Sequence, residues 1–128
     1  MRRSGNVMQI ALVDDHPVFR GGLEAILRPA FPSADLISVG RLQDLDPRVT
    51  PDLLLLDLLL PDFNPRADFA GLRQRLPETA IVLFSMVEDG ALVQSLLDQG
   101  ANGFIHKSLS PGAILENLHA VLRGEVVC

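Results

Sequence analysis

Leu53-Leu54-Leu55-Leu56-Asp57-Leu58-Leu59-Leu60 is the stretch on which the fold turns. It is apolar except at one position, and it is far too short to cross a bilayer. Leu53 to Asp57 therefore reads as a strand with both faces buried, the pattern of a parallel sheet rather than of a half-exposed antiparallel one. Asp57 breaks the run. An unpaired carboxylate in an apolar strand is costly, so this one requires a partner or a role.

Short apolar runs of the same kind recur on either side. Val7–Val13, Leu36–Val39, Ala80–Ser85 and Gly103–Lys107 complete a set of expected strands. Helical patterns lie between them. Pro17 opens the first, with Phe19, Leu23, Ile26 and Leu27 as its apolar stripe and Pro29 as its expected stop. A short second helix is expected around Arg41 to Val49, weakened by Pro47. The third carries Phe69, Leu72 and Leu76 and stops at Pro77. The fourth carries Leu92, Val93, Leu96 and Leu97, with Gly100 at the place of a left-handed cap. The fifth begins at Ser110-Pro111, a capping residue followed by proline at the first helical position. Alternation of strands and helices predicts an α/β domain, a flavodoxin-like (βα)5 doubly wound parallel sheet of strand order 2-1-3-4-5.

The chain has 128 residues, which suits one domain, with 48% hydrophobic and 21% charged residues. Its net charge of −5 argues against direct contact between this domain and a nucleic-acid backbone. There is no Trp or Tyr to stack on bases. Cys128 is the single cysteine, so no internal disulfide is available and a cytoplasmic location is expected. Arg2 and Arg3 precede only a short apolar run that ends in Asp14-Asp15, which is not a secretory signal. No membrane association is expected.

Ligands of doubly wound sheets bind beyond the carboxyl ends of the strands. Asp14-Asp15 end the first strand, Asp57 the third, Ser85 the fourth and Lys107 the fifth. Each alone has an ordinary explanation as a turn, cap or surface residue. Together they sort onto one sheet edge. Three carboxylates within about 5 Å repel by roughly 3 kcal/mol per pair at an effective dielectric near 20, so they take up protons or hold a cation. Mg2+ suits such a set and leaves room for a phosphate oxygen. Beside it, Asp57 is a candidate nucleophile toward a phosphoryl group, with Lys107 and Ser85 placed to meet phosphoryl oxygens. His16 stands beside the acidic pair, where a metal-ligand role is conceivable, but a turn residue is the favoured reading; His106 and His119 show no metal-ligand spacing.

Val13-Asp14-Asp15-His16-Pro17, Leu54-Leu55-Leu56-Asp57 with Pro61, Ser85, Gly100-Ala101-Asn102-Gly103-Phe104 and Lys107 resemble the receiver domains of bacterial two-component response regulators. The opening run VDDHPVFRGGL is most similar to regulators with a LuxR/NarL-type helix-turn-helix output. The resemblance implies that Asp57 is the phosphoacceptor, that Asp14 and Asp15 bind Mg2+ together with Asp57 and the backbone carbonyl of Leu59, and that Lys107 is the family's lysine. It implies a switch pair in Ser85 and Phe104, in which the hydroxyl moves toward the phosphoryl group and the ring turns inward. A sensor histidine kinase or a small acyl phosphate would be the donor. Homodimerisation on phosphorylation and transcriptional control through an output domain outside this stretch would follow. The expected readout surface is the helix from Glu88 to Gln99 and the helix from Pro111 to Arg123.

Three positions depart from the family pattern. Met86 follows Ser85 where a small residue is usual, and its bulk is expected to narrow access. Pro65 replaces a common glycine, leaving Phe63 to Asp68 irregular. Ser108 follows Lys107 where proline is common, which puts the family's cis peptide in question. Met86 and Pro65 motivate the alternative function, a phosphorylation-independent interaction or dimerisation module. An aspartyl-nucleophile phosphotransferase is disfavoured by Leu59, which stands where such enzymes carry a second Asp. A nucleotide-binding domain is disfavoured by the absence of a Gly-rich turn after the first strand. Leu59 and Val87 offer no polar group to orient water, so a long-lived phosphorylated state is expected.

Overall fold

A computed structural model describes residues 7–86 and 89–128. Val87 and Glu88, and with them the expectation placed on Val87, lie outside the described residues, as do Arg2 and Arg3. In chain order the elements are β1 (Gln9–Val13), α1 (Pro17–Ala30), β2 (Asp35–Val39), a 3-10 turn (Leu42–Asp44), β3 (Leu53–Asp57), α2 (Pro65–Arg75), β4 (Ala80–Ser85), α3 (Gly90–Asp98), β5 (Gly103–His106) and α4 (Pro111–Leu122). The strands form one parallel sheet of order β2-β1-β3-β4-β5, as the alternation of patterns predicts.

Strand alternation divides the core in two. Leu54 and Leu56 of β3, Ala11 and Val13 of β1 and Ile81 and Leu83 of β4 pack with Phe69 and Leu72 of α2 and Val93 and Leu96 of α3. On the other face Leu53, Leu55, Ile10, Leu12, Val82 and Phe84 pack with Leu23 and Leu27 of α1 and Ile114 and Leu118 of α4. Every leucine of β3 is fully buried, which explains why the strand carries no polar residue before its end. Burying each such side chain stabilises the fold by about 1.5–3 kcal/mol.

Four of the expected helices form, with informative ends. Asn64 accepts hydrogen bonds from the backbone N–H groups of Arg66 (3.1 Å) and Ala67 (3.3 Å), and Pro65 occupies the first helical turn. The segment from Phe63 to Asp68 is thus a capped helix start rather than an irregular one, because proline's missing N–H is not needed there. Ser110 caps α4 by accepting from Ala113 N–H at 3.2 Å, and Asp89 caps α3 by accepting from Leu92 N–H at 3.1 Å. Gly100 adopts φ 105° just after α3, as its position predicts. Two expectations need correction. The second helix, from Arg41 to Val49, is only the 3-10 turn Leu42–Asp44. Helix α1 runs past Pro29 to Ala30, where proline in the last turn costs a single ladder bond.

The edge of β5 has a partner the sequence did not announce. Val127 bridges Gly103 in parallel: Phe104 N–H donates to the Val127 carbonyl (2.9 Å) and Val127 N–H donates to the Asn102 carbonyl (3.2 Å).

Candidate functional site

The site grows from the carboxyl ends of β1, β3, β4 and β5. Asp14 follows β1 and is only 1% exposed. Its Oδ1 accepts from the backbone N–H of His16 at 2.7 Å, an Asx-type turn, and its carbonyl accepts from Arg20 Nη1 at 3.1 Å. Asp57 ends β3, also 1% exposed, and its Oδ1 accepts from Leu59 N–H at 3.0 Å. Leu59 therefore meets the acidic group through its amide while its side chain stands exposed. Lys107 follows β5. Its Nζ lies 2.9 Å from Asp14 Oδ2, 3.3 Å from Asp57 Oδ2 and 4.5 Å from the centroid of the Phe19 ring. The buried ammonium is thus shared between two buried carboxylates and backed by an aromatic face.

Asp15, on the solvent side, completes the acidic group. Single ligand-type atoms of Asp14, Asp15, His16 and Asp57 all lie within 4.8 Å of one another. Three carboxylates against one ammonium leave an excess of negative charge that a hard divalent cation fits, through carboxylate oxygens and retained waters. The donor set therefore suits Mg2+.

Ser85 is buried at the end of β4, and its carbonyl accepts from Lys107 N–H at 3.0 Å. Phe104 sits on β5 opposite Leu83, and its ring is buried in the cluster that holds Val93, Leu96 and Ala101. In this structure the ring already lies inward. Met86, expected to narrow access, has an exposed side chain. The described peptide bonds are all trans, Lys107–Ser108 included.

The sequence favours a turn role for His16 over a metal-ligand one, and the structure shows both the turn position before α1 and a ring at the acidic group. Its Nδ1 stands 3.2 Å from Asp14 Oδ1, 3.4 Å from Asp15 Oδ1, 3.4 Å from Asp57 Oδ2 and 3.2 Å from Lys107 Nζ. Its place directly after the acidic pair, at the cap before Pro17, was the available signal. His106 instead pairs locally with Ser108 and His119 stacks on Phe31.

Fold and site together define a doubly wound α/β domain with an acidic, cation-suited pocket and a buried lysine at the carboxyl edge of its sheet. The chain belongs to the response regulator receiver domain family, whose model matches residues 10–119. It is 35% identical over 120 residues to the transcriptional activator protein ExaE of Pseudomonas putida, covering 91% of this chain and 56% of that protein. It is 33% identical over 124 residues to the nitrate/nitrite response regulator protein NarL of Escherichia coli K12, covering 92% of this chain and 56% of that protein. The chain thus spans little more than half the length of these relatives. Among solved structures, a LuxR family DNA-binding response regulator from Silicibacter pomeroyi superposes with a TM-score of 0.80 at 28% identity, over 95% of this chain and 97% of that one.

Proposed function

We propose that this receiver domain accepts a phosphoryl group on Asp57 from a sensor histidine kinase, in an Mg2+-dependent reaction, and thereby switches conformation and dimerisation to control transcription. The observation that carries the reading is the buried Lys107 ammonium held between Asp14 and Asp57. A lysine committed to those two carboxylates is placed to meet a phosphoryl oxygen once one of them is esterified.

In the proposed step an Asp57 carboxylate oxygen attacks phosphorus as the bond to the donor imidazole, or to the acyl oxygen of a small acyl phosphate, breaks. The leaving group departs with the electron pair of that bond. Asp14, Asp15, Asp57 and the Leu59 carbonyl would hold Mg2+, which supplies charge neutralisation for the phosphoryl oxygens. Asp57 keeps its attacking carboxylate oriented through Leu59 N–H. Lys107 follows the negative charge as it moves onto the phosphoryl group, and the Ser85 hydroxyl donates a hydrogen bond to a phosphoryl oxygen. Phe104 is the second member of the switch pair. The domain turns over nothing beyond its own Asp57. It acts in the cytoplasm, with a DNA-binding output domain outside this stretch making the nucleic-acid contact. Among the described residues no helix is long and apolar enough to cross a membrane.

Of the two residues that motivate the phosphorylation-independent reading, Pro65 starts a capped helix, which favours the phosphoacceptor reading, and Met86 is exposed. The test is intact-protein mass after incubation with Mg2+ and acetyl phosphate. A single phosphoryl adduct in the wild type and none in Asp57→Asn is the expected result. An adduct of equal yield in the variant would overturn the assignment.

A further inference from the structure

The receiver resemblance gives His16 no role, yet the local backbone turns its ring into the acidic pocket. His16 caps α1 with extended backbone (φ −92°, ψ 102°) and makes no side-chain cap to the helix. Its N–H is tied to Asp14 Oδ1 at 2.7 Å, which folds the residue back over the sheet edge. There Nδ1 meets Lys107 Nζ at 3.2 Å. The same Nδ1 lies 3.2 Å from Asp14 Oδ1, so the neutral tautomer with a lone pair on Nδ1 accepts from Lys107, and the one protonated there donates to Asp14. Around the Lys107 ammonium stand Asp14 Oδ2 at 2.9 Å, Asp57 Oδ2 at 3.3 Å and His16 Nδ1 at 3.2 Å.

The spacing of the donors is the second observation. Ligands bound at about 2.0–2.2 Å to one small cation stand roughly 3.0–3.4 Å apart, from octahedral to tetrahedral geometry. His16 Nδ1 is 3.2 Å from Asp14 Oδ1 and 3.4 Å from both Asp15 Oδ1 and Asp57 Oδ2.

We propose that His16 is a nitrogen ligand of the divalent-cation site and sets its metal selectivity. The inference rests on the phosphoacceptor reading only in using the same pocket. Mg2+ takes oxygen ligands and retains water, so an imidazole adds little to its binding. Borderline ions such as Ni2+ and Zn2+ bind imidazole strongly. Every carboxylate site favours Ni2+ over Mg2+ to some degree, so the diagnostic quantity is how far His16 widens that preference.

The experiment is separate calorimetric titration of Mg2+ and of Ni2+ into the tag-free chain, for wild type, His16→Ala and His16→Gln. Circular dichroism confirms folding of each. Both variants are expected to lose about tenfold or more in Ni2+ affinity while Mg2+ affinity stays within about twofold. In nitrogen-15 spectra of the imidazoles, Zn2+ is expected to shift His16 Nδ1 and leave His106 and His119 in place. Ni2+ affinity unchanged by substitution, or lost in step with Mg2+ affinity, overturns the inference while leaving the acidic pocket intact. A wild type that binds neither ion overturns both.

Discussion

Asp57→Asn is expected to make the metal-free domain more stable, although it removes a partner of a buried lysine. The ligand-type atoms of Asp14, Asp15 and Asp57 lie within 4.8 Å of one another. Each carboxylate pair then repels by at least about 3.5 kcal/mol at an effective dielectric near 20. Asp57 belongs to two such pairs. Its attraction to Lys107 Nζ at 3.3 Å returns about 5 kcal/mol on the same scale. The balance is about 2 kcal/mol against a charge at Asp57, and the desolvation of a carboxylate that is 1% exposed acts in the same direction. Asparagine keeps the Oδ1 acceptor for Leu59 N–H, so the local turn survives. At roughly 3–5 °C per kcal/mol for a domain of this size, the melting temperature should rise by about 6–10 °C. The assay is thermal and urea unfolding followed by far-ultraviolet circular dichroism, at neutral pH with a chelator present. Added Mg2+ should then stabilise the wild type, by about 2.7 kcal/mol at a hundredfold excess over Kd, and the variant by less. A variant no more stable than wild type in chelator would refute the picture of three charged carboxylates crowded at one sheet edge.

Lys107→Met leaves Asp14 and Asp57 buried without their shared cation, and a loss of about 3–5 kcal/mol is expected from urea midpoints, partly restored by Mg2+. A loss below about 1 kcal/mol would show that the ammonium is not what holds the carboxylates. Leu59→Asn places a polar side chain on an exposed position two residues after Asp57. The phosphorylated state, followed by intact mass after removal of donor, should decay about threefold faster or more, since water then has a group to orient it; an unchanged half-life counts against the role given to Leu59. Gly103→Ala would set a Cβ 2.7 Å from Val127 Cγ2 and 3.2 Å from its carbonyl oxygen. The two hydrogen bonds that Val127 makes with Phe104 and Asn102 should then be lost, at about 1 kcal/mol each, and exchange of the Phe104 amide should accelerate. Unaltered protection there would mean that the segment adjusts without leaving.

The strands and the strand-end residues were legible because their signals are local. A run such as Leu53 to Leu56 has one compatible environment, and a doubly wound sheet gathers the residues that end its strands. The misreadings share a different cause. The segment after β2 looks helical by pattern, but Asp62 accepts from Leu42 N–H (3.2 Å) and Gln43 N–H (2.8 Å) and pins a single tight turn from another loop. Pro65 looked disruptive because the pattern gave no weight to Asn64 as its cap. His16 was legible as a neighbour of the acidic pair, but not its meeting with Lys107, which spans 91 positions of sequence. The pairing of Val127 with Gly103 likewise depends on the path of the chain after α4, where Gly124 takes φ 95°.

Strand alternation also constrains how the proposed switch works. Asp57 continues the parity of Leu53 and Leu55, the face covered by α1 and α4, and its partners Lys107 and Phe19 agree with that side. Ser85 continues the parity of Ile81 and Leu83, the face covered by α2 and α3, where the Phe104 ring packs with Val93 and Leu96. In the proposed switch the charge changes at Asp57, while the Phe104 ring lies in the cluster on the α2 and α3 face. Between the two faces lie the fully buried, close-packed leucines of β3. The crossing lies at the sheet edge, where Lys107 contacts Asp57 through its ammonium and Ser85 through its N–H. On that geometry, the link from phosphoryl group to Phe104 runs around the ends of β4 and β5, and α3 is the first helix to feel it.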